Sequence, residues 1–117
     1  MSLGPFEPVL ALADLPRGRM RRIAVGGREV LVCHTRGGIF ALDEVCTHAY
    51  AHLSEGRLRR DRIVCPLHGA AFALQDGRVL AGPAGVPLPR HATRVVDGVI
   101  ELALDPDAPP QPREDAI

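Results

Sequence analysis

Turn dipeptides cut this chain into pieces too short for helices. Gly26-Gly27, Gly37-Gly38, Arg60-Asp61, Asp76-Gly77 and Asp97-Gly98 recur along it, with strand-length segments between them. Residues 29–36 and 39–42 flank the second of these turns. Residues 94–96 and 99–104 flank Asp97-Gly98, a dipeptide suited to the type I′ turn because both central positions need positive φ. No window of ten or more residues holds apolar side chains at i, i+3, i+4 and i+7 between caps, so an all-β chain is expected, with at most a helical turn near 14–15 or 49–53. The strand spacing suits a small antiparallel barrel or sandwich.

At 117 residues the chain has room for one compact domain. Leu, Val, Ile and Phe supply 33 residues, but aromatics are only 3% and Trp is absent. A thin aliphatic core follows, which a metal or cofactor would help to staple. Net charge is zero, arguing against wholesale binding to nucleic acid or an anionic membrane. All fourteen basic residues are arginine. The first sixteen residues lack the charged and apolar regions of a signal peptide, and no apolar run approaches a membrane span, so a soluble, cytoplasmic protein is expected. Three cysteines, Cys33, Cys46 and Cys65, suit metal or redox chemistry better than a disulfide framework.

Two segments break the strand rhythm. Residues 45–56 and 65–72 are rich in Cys, His and Ala, and each follows a short hydrophobic strand. Residues 81–90 carry three prolines and two glycines and are expected to form a stiff surface loop. Residues 1–104 form the expected domain, and 105–117 a Pro- and acid-rich tail, disordered or loosely docked.

The chemistry lies in the two irregular loops. Cys46-Thr47-His48 is followed after sixteen residues by Cys65-Pro66-Leu67-His68. Each loop offers one thiolate and one imidazole, close enough together for the chain to wrap a metal while the loops face each other. A structural zinc site is the plain alternative, although zinc more often uses pairs of cysteines. These residues, with Leu53-Ser54-Glu55-Gly56, Gly69, Phe72, Gly77 and Gly82-Pro83, resemble the Rieske 2Fe-2S proteins, specifically their small soluble ferredoxins. The resemblance spans about residues 25–104. It implies antiparallel basal sheets with a small cluster-binding insertion at about 44–81, made of two loops. It also implies one 2Fe-2S cluster per chain, with Cys46 and Cys65 on one iron, His48 and His68 on the other, and a shielding loop that begins at Gly82-Pro83.

The charge arithmetic of such a centre is simple. Two ferric irons, two sulfides and two thiolates sum to zero, whereas four thiolates leave two negative charges, so the mixed centre accepts an electron more easily. Its potentials run from about −150 to +300 mV, against about −400 mV for all-cysteine ligation. High-potential Rieske proteins of membrane complexes carry an added cysteine in each loop, joined as a disulfide, and a serine after the second loop's glycine. Here Tyr50, Ala51, Leu67 and Ala70 occupy the corresponding places. The low-potential reading follows, near −150 mV and nearly flat with pH through neutrality. Backbone N–H groups of Gly69, Ala70 and Ala71 are the expected donors to cluster sulfur.

By the same resemblance the protein carries electrons from a flavin reductase to a ring-hydroxylating oxygenase and catalyses nothing itself. No G-x-G-x-x-G motif and no nucleophile–base pair stand out. The competing readings are a small subunit of a nitrite-reductase-like complex and a zinc-stabilised interaction module. Of the remaining residues, Cys33 reads as a buried inert thiol, and His34 and His91 as surface or half-buried strand histidines. His52 either supports the cluster loop or is solvated. Two arginine runs, at 17–28 and 57–62, read as solvated hairpin faces, or else as a charged rim that steers an acidic redox partner.

Overall fold

A computed structural model describes residues 5–47, 50–67, 69–82 and 85–112. The strands are β1 (Glu7–Ala11), β2 (Arg19–Val25), β3 (Arg28–Thr35), β4 (Gly38–Asp43), β5 (Arg57–Arg59), β6 (Arg62–Val64), β7 (Ala71–Ala73), β8 (Val79–Ala81), β9 (Arg90–Val96) and β10 (Val99–Ala103). Short 3-10 turns cover Leu12–Asp14 and Leu53–Glu55, close to the two positions where a helical turn is expected. A six-stranded sheet has the order β1-β10-β9-β4-β3-β2, and a four-stranded sheet has the order β5-β6-β7-β8. Every pairing is antiparallel. The all-β expectation holds, and the insertion carries a small sheet of its own beside the loops.

The hairpins form for the local reason that the turns suggest. Asp97 and Gly98 both take positive φ, 52° and 76°, and bring Val96 opposite Val99. β3 shows why the two sheets stack. Its alternating side chains are apolar on both faces: Val30 and Val32 pack with Ala41, Ile100 and Leu102, while Leu31 and Cys33 face a second cluster. That second cluster takes Leu42 from β4 and Ile63, Phe72 and Leu74 from the insertion. Each such fully buried side chain contributes roughly 1.5–3 kcal/mol of transfer free energy, so β3 is the seam on which the insertion is held.

Two buried acids end β4. Asp43 receives both nitrogens of one face of the Arg28 guanidinium, at 2.7 and 2.5 Å, and lies 2.8 Å from His91 Nε2. The Asp105 N–H donates to His91 Nδ1 at 3.0 Å, so Nδ1 carries no proton and Nε2–H is the donor to Asp43. His91 is 1% exposed, which corrects the surface or half-buried expectation. Its strand register with Ala41 turns the ring inward, onto a charge that needs partners. The tail is also held more closely than its composition suggests. Gln111 exchanges two hydrogen bonds with the Glu29 backbone, and Arg28 donates to the Pro109 carbonyl. Residues 113–117 lie outside the described part of the chain.

Candidate metal centre

Cys46 and Cys65 are buried, 0% and 3% exposed, and belong to one apolar cluster. Their loops close in the same way. The Cys46 N–H donates to the Ala51 carbonyl at 2.9 Å, and the Cys65 N–H to the Ala70 carbonyl at 2.7 Å, each bond spanning five residues. The sequence is folded locally so that each cysteine heads a tight loop whose end is pinned beneath it. His48 and His68 lie within these loops but outside the described residues. No disulfide joins the described cysteines.

Hydrogen bonds from the second loop and the proline-rich loop complete the cradle. The Leu67 N–H lies 3.4 Å from Cys65 Sγ, the geometry of a backbone donor to a thiolate. That donor was not among the three expected from sequence; the signal for it was only its place two residues after Cys65. Thr47 Oγ1 donates to the Val86 carbonyl at 2.6 Å and ties the first loop to the proline-rich loop. Gly82 sits with φ +87°, and a Cβ there would lie 2.5 Å from Ala70 Cα, so only glycine lets that loop close on the second cysteine loop. Pro83 and Ala84 lie outside the described residues.

Glu44 was visible in the sequence only as a boundary. It is fully buried, and its carboxylate accepts from the Ser54 N–H at 3.0 Å and the Ser54 hydroxyl at 2.5 Å. His52 Nδ1 lies 3.1 Å from the same carboxylate, and its ring meets Tyr50 edge to face. His52 is therefore a support of the first loop and not a solvated side chain. His34 is half-buried, its Nδ1 2.6 Å from the Leu15 carbonyl, as a satisfied strand histidine would be. Two buried thiols without a disulfide, a backbone donor aimed at one of them, and a glycine-shaped cradle around their loops fit the thiolate side of an iron–sulfur centre.

The model of the Rieske [2Fe-2S] domain matches residues 6–92. The chain belongs to the Rieske family. Among its relatives, the ferredoxin component of biphenyl 2,3-dioxygenase from Rhodococcus jostii (strain RHA1) is 41% identical over 80 residues, 68% of this chain and 75% of that one. A solved complex of reduced oxygenase and oxidized ferredoxin in carbazole 1,9a-dioxygenase contains a chain that aligns with TM-score 0.79 and 35% identity, over 84% of this chain and 92% of that one. A putative NADH-dependent nitrite reductase small subunit from Mycobacterium tuberculosis aligns with TM-score 0.78 and 25% identity, over 87% and 96%. The Rieske domain implies a 2Fe-2S cluster, and among the described residues no helix is long and apolar enough to cross a membrane.

Cys33 stands apart from the two cysteine loops. It is wholly buried on β3, and burial pushes its thiol up to about 12. The folded value lies above the ordinary one near 9, so the stability that this neutral thiol contributes is complete below about pH 9 and lost as pH rises towards 12. We expect no reaction of Cys33 with a thiol reagent in the native protein at pH 8. The fall of stability across this alkaline window should be shallower in Cys33→Ala, as denaturant titrations at several pH values would read.

Proposed function

We propose that this Rieske protein is a cytoplasmic one-electron carrier, with one 2Fe-2S cluster per chain, that takes electrons from a flavin reductase and delivers them to the terminal oxygenase of a ring-hydroxylating system. In this reading Cys46 and Cys65 hold one iron through thiolates, and His48 and His68 hold the other through imidazole nitrogen. The cluster supplies a one-electron couple. The observation that carries the reading is the pair of buried cysteines heading equivalent closed loops in one apolar cluster. The relative named as a dioxygenase ferredoxin component, and the solved complex of ferredoxin with oxygenase, support the direction of electron flow.

The protein's own part is to keep the loops stiff, so that little rearranges when the electron arrives. The Glu44, Ser54 and His52 hydrogen bonds and the Thr47 bond to Val86 do this. Purified holoprotein is expected to hold two irons and two acid-labile sulfides per chain, with a potential near −150 mV that is nearly constant across neutral pH. A zinc-only metal content would overturn the reading, and a potential above about +100 mV would favour a respiratory role instead.

Leu67 and Val86 are exposed, 41% and 55%, and both belong to loops of the cradle. An exposed apolar side chain on such a loop is a contact for a redox partner that docks there, since docking dries it. Leu67→Glu is expected to slow electron delivery to the oxygenase about tenfold, the cost of placing one charge in a drying contact, while the visible spectrum is kept. Stopped-flow mixing of reduced protein with oxidised oxygenase checks this, and an unchanged rate would remove Leu67 from the docking face.

A further inference from the structure

Away from the cysteine loops, an open groove of about 1550 Å³ lies between the turn joining β3 to β4 and the turn joining β5 to β6. β4 and β6 both run from this groove towards the cysteine that follows each of them. Three steps of extended chain, about 10 Å, lead from Arg62 at its wall to Cys65. None of the residues lining it belongs to the closed loops at 46–51 and 65–70.

Arg17, Arg36, Arg59, Arg60, Arg62 and Arg90 line the groove, with Asp61 as the one acid. All six arginines are exposed. Among the described residues, Arg17, Arg36, Arg59 and Arg60 make neither an ion pair nor a side-chain hydrogen bond. Arg62 faces Asp61 at 3.7 Å, and among the described residues the Arg90 side chain forms no ion pair. The chain as a whole is neutral, so thirteen acids and eight arginines are left elsewhere and the molecule is strongly polarised. Gathering six guanidinium groups costs self-repulsion that an anionic occupant would relieve. Phe40, Leu58 and Leu74 add apolar side chains to the lining.

We propose that this groove docks an acidic segment of a redox partner protein, with carboxylates on the arginine rim and an aliphatic side chain against Phe40 and Leu58. The groove exceeds the roughly 300–1,000 Å³ of a small-molecule pocket, and its arginines come from both facing turns and from positions 17 and 90. Fork-shaped donors supplied from several segments, with apolar side chains in the same lining, match a peptide carrying both carboxylates and leucines better than a compact phosphate. Docking here leaves the cysteine loops uncovered, so a partner can be tethered while the cluster face stays open. The partner's place in electron transfer rests on the carrier reading above, whereas binding to the groove is measured without electron flow.

The test uses holoprotein and a fluorescein-labelled peptide of repeated Glu-Glu-Leu units, titrated by fluorescence anisotropy at low and at physiological salt. We expect saturable binding that weakens with salt, as exposed ion pairs do. We expect about a tenfold loss of affinity in Arg59→Ser/Arg60→Asn, which removes two exposed cations. Asparagine is chosen at position 60 because φ there is 52°. Arg36→Ser, on the opposite wall, provides an independent loss, and the visible spectrum reports that each variant keeps its fold. Unchanged affinity in both variants, or equal binding of a Gln-Gln-Leu peptide, would overturn the proposal. Inorganic tripolyphosphate displacing the peptide at a lower concentration than unlabelled peptide would overturn the choice of occupant.

Discussion

Replacing His68 by cysteine is expected to lower the reduction potential by on the order of 100 mV, and replacing His48 should do the same. With His48 and His68 as the proposed ligands, each change would exchange a neutral imidazole for a thiolate, so the oxidised centre would move from zero charge to one negative charge. An added electron then meets repulsion that the mixed centre lacks. The span between mixed and all-cysteine centres, about 250 mV or more for two ligands, sets the scale. Protein-film voltammetry on protein reconstituted with iron and sulfide reads the shift. Cys33→Ala, wholly buried on β3 and no proposed ligand, is the control and should leave the potential near its starting value. An unchanged potential in His68→Cys would take that residue out of the ligand set.

Asp43→Ala is expected to cost about 3–5 kcal/mol of stability. The substitution leaves the part-buried Arg28 guanidinium without its two short bonds to Asp43, and leaves the buried His91 Nε2–H without an acceptor. The melting temperature should fall by on the order of 15 °C in a chain of this size. The exposed pair between Arg94 and Glu101 is the contrast, and Glu101→Gln should cost less than about 1 kcal/mol. Differential scanning calorimetry on both variants decides the matter, and a drop for Asp43→Ala no larger than that of the surface pair would mean that the buried triad contributes little. Asp43 lies three residues before Cys46, so its variant should also bind iron less completely.

Where structure depends on neighbours in the chain, these residues can be read directly. Asp97-Gly98 specifies its hairpin because both residues tolerate positive φ, and the double-sided apolar run of β3 announces a strand covered on both faces. The Cys-x-His and Cys-x-x-His spacings mark the loops because metal ligation needs soft donors a few residues apart. β1 was not legible, since Pro8 in a five-residue segment argues against a strand until β10 is seen to make it an edge strand with a bulge beside the proline. The arginine-rich hairpin of β5 and β6 was legible at its turn, although nothing in its composition says that Arg36 and Arg17 come to face it.

By itself the sequence determined the all-β class, the principal hairpins and the residues with metal-ligand chemistry, because φ preference, side-chain alternation and donor type act over a few residues. Tertiary structure alone decided that Glu44 holds His52 and Ser54, that His91 is buried against Asp43, that the tail is pinned to Glu29, and that six arginines share one groove. Each of these joins residues eight to more than eighty positions apart. Their energy depends on burial and on the direction in which a strand's register points a side chain, quantities that exist only once the sheets have stacked.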